Sequence, residues 1–348
     1  MIERQLTTMG QSTRIVIGEN ALASLGSYLS RSQSLIVVEP GLVARMTELC
    51  PDLDYITVSG GESCKSLFQV ENLYATLLER GVDRSTTLVG VGGGALLDLV
   101  GFVAATYLRG LPCALIPSTL LAQVDASLGG KNGVNFGRYK NIIGTIRQPD
   151  LVLCDLGFLT TLPDDEFRSG LAEVIKYGAI ADRAFVDFLF AHRNEIRSRD
   201  SRALAHVVDR SLAIKQHIVE KDPQEKGLRR ILNFGHTVGH ALEHVSAIKH
   251  GFAISIGMAV AAHLSVTQEI LSPEAAQELQ QLLHDFGLPT SFQLNIAEIV
   301  PAIARDKKRE GDYIHSVLLA SLGSAVVEKL PLKAWEIALR SFQEQRRS

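Results

Sequence analysis

Short β-branched runs alternate with helical periodicity through the first part of the chain. Arg14–Ile17, Ser34–Val38, Tyr55–Val58 and Thr86–Val91 predict strands, and Ala21–Leu29, Leu67–Arg80 and Ala95–Leu108 predict helices, the second closed by Gly81. Strands separated by helices pair in parallel through crossovers, so this half predicts an α/β sheet. After one more apolar run, Leu151–Leu153, helical spacing takes over: Phe167–Ile180, Arg202–Glu220, Thr237–His244, Ala253–Ile270, Pro273–Phe286 and Ile296–Arg305. Ser316–Leu319 and Ala325–Leu330, joined around Gly323, predict a late hairpin. The change of texture divides the chain into an α/β domain over residues 1–150 and a mostly helical domain over 151–348. There is no internal repeat and no low-complexity segment, which excludes solenoids.

Composition narrows this picture. Of 348 residues, 46% are hydrophobic and 21% charged, so the chain folds around sizeable cores. The formal charge is −3 and no dense basic run occurs outside Arg346 and Arg347, so nucleic acid is not an expected partner. Cys50, Cys64, Cys113 and Cys154 stand far apart with no C-x-x-C pair, which predicts reduced thiols in the cytoplasm. The opening Met1–Arg4 lacks the apolar core of a secretory signal. Leu88–Leu108 is the nearest approach to a membrane span, but it contains Asp98 and five glycines. A buried strand followed by a buried helix accounts for it, and no membrane is expected.

Candidate chemistry starts at Gly90-Val91-Gly92-Gly93-Gly94-Ala95, a G-x-G-x-x-G/A pattern between a predicted strand and a predicted helix. Glycines there let a backbone approach a pyrophosphate at a helix N-terminus, or allow close helix–sheet packing. The acidic residue usual about 20 positions downstream is missing, since Arg109–Thr119 contains no Asp or Glu. Asp98, one turn into an apolar helix, fits hydrogen bonding to a nucleotide ribose or amide, or interaction with the helix dipole. The segment Asp125–Asn135 is too polar and glycine-rich for a regular helix or central strand and predicts a shaped loop. Lys131, Lys140 and Asn141 beside it suit a phosphorylated ligand.

Histidines supply the sharpest signal. His236, His240, His244 and His250 crowd one stretch, with His236 and His240 at i,i+4 on one helix face, as two metal ligands or as a ligand and its catalytic neighbour. Upstream, Glu173 and Lys176 lie at i,i+3 in an apolar helix, where a buried carboxylate needs either its lysine or a metal. A glutamate and two histidines with an open position make a catalytic zinc arrangement. Lys215, Arg229, Arg230, Lys307 and Lys308 could bind an anion, although each taken singly reads as a solvated surface charge. Arg229, Asn233, His236 and His240 continue at helical spacing, which aims Arg229 at a carboxylate or phosphate.

Taken together these segments resemble the 3-dehydroquinate synthase family of the shikimate pathway, within the sugar phosphate cyclases. The resemblance runs through Gly60–Lys65, Gly92–Phe102, Arg109-Gly110, Asp125–Asn135, Lys140–Gly144, Ala172–Lys176, Asn233–His240, His250-Gly251 and Asp306–Lys308. It implies a Rossmann-like N-terminal domain binding NAD+ and a helical C-terminal domain holding zinc or cobalt through Glu173, His236 and His250. It further implies NAD+ contacts from Gly60, Gly61, Glu62, Ser63, Cys64 and Lys65, from Gly94, Ala95, Leu96, Leu97 and Asp98, from Ser118 and Thr119, from Lys131 and Lys140, and from Phe158, Leu159, Thr160 and Thr161. Asp125, Lys131, Asn141, Lys176, Lys215, Arg229, Asn233, His240 and Lys308 are implied to surround a sugar phosphate substrate. Arg109 is implied to reach the phosphate site of a neighbouring subunit, hence a homodimer.

In that family 3-deoxy-D-arabino-heptulosonate 7-phosphate is oxidised at C5 by NAD+, loses phosphate by β-elimination, is reduced again and closes to 3-dehydroquinate. The chain departs from the pattern at Phe252, where the family commonly has Glu after the His-Gly pair, and at Ser118, where Thr is usual. A phenylalanine cannot make that carboxylate's hydrogen bond behind the metal ligands. Competing readings are a 2-deoxy-scyllo-inosose or valiolone synthase and a glycerol dehydrogenase-like metal enzyme. Retention of His240 favours the dehydroquinate branch over the valiolone type. A non-catalytic nucleotide-binding regulator is disfavoured by the complete metal set.

Overall fold

The computed structural model describes the chain apart from residues 31–32, 52–53, 138, 294, 305–308, 311–312, 346–348 and the side chains of 309–310. Contacts divide it into two compact units: Met1–Pro163 with Leu204–Pro223, and Asp164–Ala203 with Gln224–Ser348.

The first unit is built on a seven-stranded sheet. In chain order its region contains β1 (Ile2–Thr8), β2 (Gln11–Gly18), β3 (Ser34–Val38), β4 (Asp54–Thr57), β5 (Thr87–Gly92), β6 (Cys113–Pro117), β7 (Lys131–Phe136), β8 (Tyr139–Ile146) and β9 (Leu151–Asp155). The sheet order is β1-β2-β9-β6-β5-β3-β4, parallel except for the β1–β2 hairpin, while β7 and β8 form a separate antiparallel pair. Strand residues alternate between two cores. Leu35, Val37 and Leu88 pack with the helices Leu67–Glu79 and Gly94–Thr106 on one face, and Ile36, Val38, Val89 and Val91 pack with Leu22, Met46 and Phe158 on the other. Burial on both faces explains the uninterrupted apolar strands. From β3 the chain crosses to β4 on one side, and from β5 to β6 on the other, so the carboxyl ends of β3 and β5 flank a topological switch point.

The second unit is mainly helical, with a three-stranded antiparallel sheet of β10 (Arg309–Glu310), β11 (Tyr313–Ser321) and β12 (Ser324–Pro331). Its central helix, His250–Thr267, is buried around most of its circumference and meets the length and hydropathy of a membrane span, but 78% of that window is covered by protein. It packs against Asp164–Ala181, His236–Val245, Pro273–Asp285 and Leu332–Glu344. Trp335 is buried beneath β11 and donates from Nε1 to Ser316 Oγ at 2.8 Å.

Two sequence expectations are corrected. Asp125–Asn135 is not a single loop: a π-helical turn covers Ala122–Ala126 and Lys131–Phe136 is a strand, because Val134 and Ile143 anchor the hairpin to the core while Phe136, Tyr139, Ile142 and Ile146 stay exposed. The helical spacing from Arg229 to His240 is also broken. Leu228–Asn233 is a 3-10 turn, and Gly235 at φ +78° starts a new helix at His236.

Candidate metal and nucleotide sites

Three helices of the second unit bring Glu173, His236 and His250 together. Their approach depends on glycines: a Cβ on Gly257 would lie 1.9 Å from the Gly235 carbonyl oxygen, and one on Gly251 would lie 1.9 Å from that of Ser169. With no side chain at either crossing, the helices starting at His236, at His250 and at Asp164 close on one another. One ligand atom from each of Glu173, His236 and His250 then lies within 4.8 Å of the other two. Glu173 Oε1 is 3.7 Å from His236 Nε2 and 3.6 Å from His250 Nε2. Glu173 is fully buried, and its other oxygen, Oε2, accepts a short hydrogen bond from the ammonium of Lys176, itself buried.

The donor set fits a divalent transition metal. Two imidazole nitrogens and one carboxylate leave a fourth position open, and both Nε2 atoms face the same carboxylate oxygen. Burial lowers the affinity of His250 for its proton, but the carboxylates of Glu173 and Glu243 overcome this and lift its pKa to about 10. A positive charge is therefore favoured at the centre, which is the condition a metal ion satisfies. His240 lies on the same helix face as His236, ring centroids 5.1 Å apart, and is exposed.

In the first unit, the helix Gly94–Thr106 begins with Gly93 as N-cap and has no side-chain cap and no acidic residue in its first turn. The N–H groups of its first turn, beyond that of Gly93, and its dipole can meet an anion. Asp98, farther along, pairs with the buried Lys65 at 2.5 Å. Burial raises the Asp98 pKa, with Lys65 opposing the shift. Gly60–Lys65 docks on the β7–β8 hairpin, where Glu62 Oε1 accepts from Asn135 Nδ2 at 2.8 Å and the Lys65 carbonyl accepts from the Asn135 N–H at 2.8 Å. Cys64 is buried and its thiol is pushed up to about 11 by desolvation, so its contribution is steric.

An acidic residue does stand at the glycine turn: Glu39. It follows β3, and its Oε1 accepts the Gly93 N–H at 2.8 Å although 54 positions separate them. A Cβ on Gly60 or Gly92 would collide with its carboxylate. Reading forward from the glycines misses it, because it comes from the neighbouring strand across the switch point; a carboxylate directly after an apolar strand was the available signal.

The remaining residues fall as follows. Lys215 donates to both the carboxylate and the carbonyl of Asp125, at 2.5 and 2.6 Å. The Ser118 N–H donates to the Gly92 carbonyl, and Thr119 Oγ1 accepts from the Ala122 N–H. Lys131, Lys140 and Asn141 are exposed on the β7–β8 hairpin. Phe158 and Leu159 are buried, with Arg45 over the Phe158 ring, whereas Thr160 and Thr161 are exposed. Arg229 is buried, and Asn233 Nδ2 donates to Glu225 Oε1 at 2.6 Å. Arg109 is exposed in a turn where Leu108, Arg109 and Gly110 all have positive φ. Lys308 lies outside the described residues.

Residues 55–169 match the family described as 3-dehydroquinate synthase N-terminal, and residues 170–309 match 3-dehydroquinate synthase C-terminal. A 3-dehydroquinate synthase of Pyrobaculum neutrophilum is 41% identical over 337 residues, covering 96% of each chain. Among solved structures, a 2-deoxy-scyllo-inosose synthase complexed with carbaglucose-6-phosphate, NAD+ and Co2+ superposes with a TM-score of 0.90 at 24% identity, covering 98% of this chain and 100% of that one. A 2-epi-5-epi-valiolone synthase from Streptomyces hygroscopicus, with NAD+ and Zn2+ bound, superposes with a TM-score of 0.87 at 26% identity, covering 99% of both.

Proposed function

This chain belongs to the 3-dehydroquinate synthase family, and from that membership we propose how its residues carry the conversion of 3-deoxy-D-arabino-heptulosonate 7-phosphate to 3-dehydroquinate and phosphate. The observation that carries the reading is the convergence of Glu173, His236 and His250 within 4.8 Å. When bound, NAD+ supplies reversible hydride transfer at C5 and zinc or cobalt supplies a Lewis acid for the C5 oxygen.

Around those groups the chain's own residues bind and orient. Glu173, His236 and His250 hold the metal, and Lys176 fixes the other oxygen of the buried carboxylate through its short hydrogen bond. Glu39 and Asp98 accept hydrogen bonds from the nucleotide, and the uncapped start of the Gly94 helix receives its pyrophosphate. Asp125, Lys131, Asn141, Lys215, Arg229, Asn233, His240 and Lys308 take the substrate's hydroxyls, carboxylate and phosphate, with the cations neutralising phosphate as its bond breaks. In the division of labour, residues 1–150 bind nucleotide and add Asp125, Lys131 and Asn141 to the substrate contacts, while residues 151–348 bind metal and supply the other substrate contacts.

The finer reading is a cytoplasmic homodimer that binds neither nucleic acid nor membrane. Four buried free thiols suit a reducing compartment. Exposed Phe136, Tyr139, Ile142 and Ile146 on one hairpin, and Arg109 held outward in its strained turn, suit a subunit interface with Arg109 reaching the partner's phosphate site.

The test is incubation of the purified protein with the heptulosonate phosphate, catalytic NAD+ and Co2+ or Zn2+. Equal amounts of phosphate and dehydroquinate with no net NADH are expected. Phosphate-free NADH accumulation on a polyol would instead place the chain with metal-dependent alcohol dehydrogenases.

A further inference from the structure

Each histidine ligand must offer Nε2 as a lone pair, so its Nδ1 must carry the proton and needs an acceptor. For His236 that acceptor is close in sequence: Nδ1 lies 3.1 Å from the Phe234 carbonyl oxygen. For His250 the partner is a side chain. His250 opens its helix behind Lys249, and its side chain is 30% exposed. Its Nδ1 instead lies 3.3 Å from Oε2 of Glu243, while Nε2 faces Glu173. Phe252 does not contribute an acceptor, and its ring is covered by the Arg168 guanidinium at 5.5 Å.

We infer that Glu243 is a positioning residue of the metal centre, accepting the Nδ1 proton of His250 and thereby aiming Nε2 at the metal. The inference rests on the metal reading above. Glu243 and His236 are two turns apart on one helix, at i,i+7 with His240 between them, so they share a face. One short helix thus supplies a ligand directly and fixes the other through its carboxylate. This accounts for how the centre tolerates Phe252, where a carboxylate is common in the family.

The experiment removes Co2+ from the loaded protein with a chelator of known affinity and records the visible Co2+ spectrum. For Glu243→Ala, Co2+ affinity about 10- to 100-fold weaker and altered Co2+ bands are expected. Glu243→Gln keeps an acceptor oxygen without the charge, so it should recover most of the spectrum and part of the affinity. NAD+ affinity should be unchanged in both, which a general loss of fold would not allow. Unmodified affinity and spectrum in Glu243→Ala would overturn this inference alone. Failure of the unmodified protein to bind Co2+ at one equivalent would overturn the metal reading and the inference with it.

Discussion

His240 and His236 look alike in the sequence, one turn apart on one helix, yet the structure places them differently. His236 is largely buried and within the ligand group, whereas His240 is exposed and outside it. His240→Ala is therefore expected to retain the metal in full while kcat falls about 10²- to 10⁴-fold, the range for losing a positioned acid–base group. Metal analysis beside turnover checks this, and loss of metal would reassign His240 as a ligand. Glu39→Ala is expected to weaken NAD+ binding about 10- to 100-fold, the loss of a charge-assisted hydrogen bond, measured by calorimetry with Co2+ affinity as the control. Cys113 gives a pH prediction. Desolvation pushes its thiol up to about 12, against an ordinary value of 9.0. Above pH 9 the unfolded chain loses that proton while the folded one keeps it, so folding stability declines as pH rises through this window. Between pH 9 and 11 urea unfolding should show a slope about 1.4 kcal/mol per pH unit steeper than in Cys113→Ala.

At the scale of elements, the sequence was legible wherever one pattern dominated. The strands around Ser34–Val38 and Thr87–Gly92, the helices Leu67–Glu79 and Pro273–Asp285, and the hairpin turning at Gly323 all follow from periodicity and end signals. What was not legible has physical reasons. β1 is an edge strand with only Leu6 and Thr8 buried, so its apolar signal is sparse. The β7–β8 hairpin exposes most of one strand, so its composition reads as a loop. Glu39 was hidden because partnership across parallel strands leaves no fixed spacing in the chain. The glycines at helix crossings were visible, but their purpose was not, since only the packed structure shows which backbone each one touches. Gly257→Ala tests that purpose. Its methyl group would force the helices at His236 and His250 apart, and a loss of about 1–3 kcal/mol of stability is expected by urea unfolding. The accompanying drop in Co2+ affinity is the diagnostic result. Lost stability with unchanged metal binding would show that the crossing does not set the ligand geometry.

For the whole molecule, the two cofactors are assigned to residues of different units: nucleotide to the first, metal to the second. Each ligand stabilises the native state by mass action, about 2.7 kcal/mol at one hundred times its dissociation constant. The part of that stabilisation visible in local opening is concentrated in the elements that contact the ligand. Hydrogen exchange should therefore resolve two footprints. Co2+ alone is expected to slow exchange in Asp164–Ala181, His236–Val245 and the first turns of His250–Thr267, the three helices whose ligands it ties together. NAD+ alone is expected to slow exchange in the Gly60–Lys65 loop and at the start of Gly94–Thr106, where the N–H groups lack side-chain caps. The metal footprint should disappear in Glu173→Gln, while the NAD+ footprint stays. If Co2+ instead protected the Gly60–Lys65 loop and left the three helices unchanged, the metal would be bound elsewhere and the assignment of Glu173, His236 and His250 would fall.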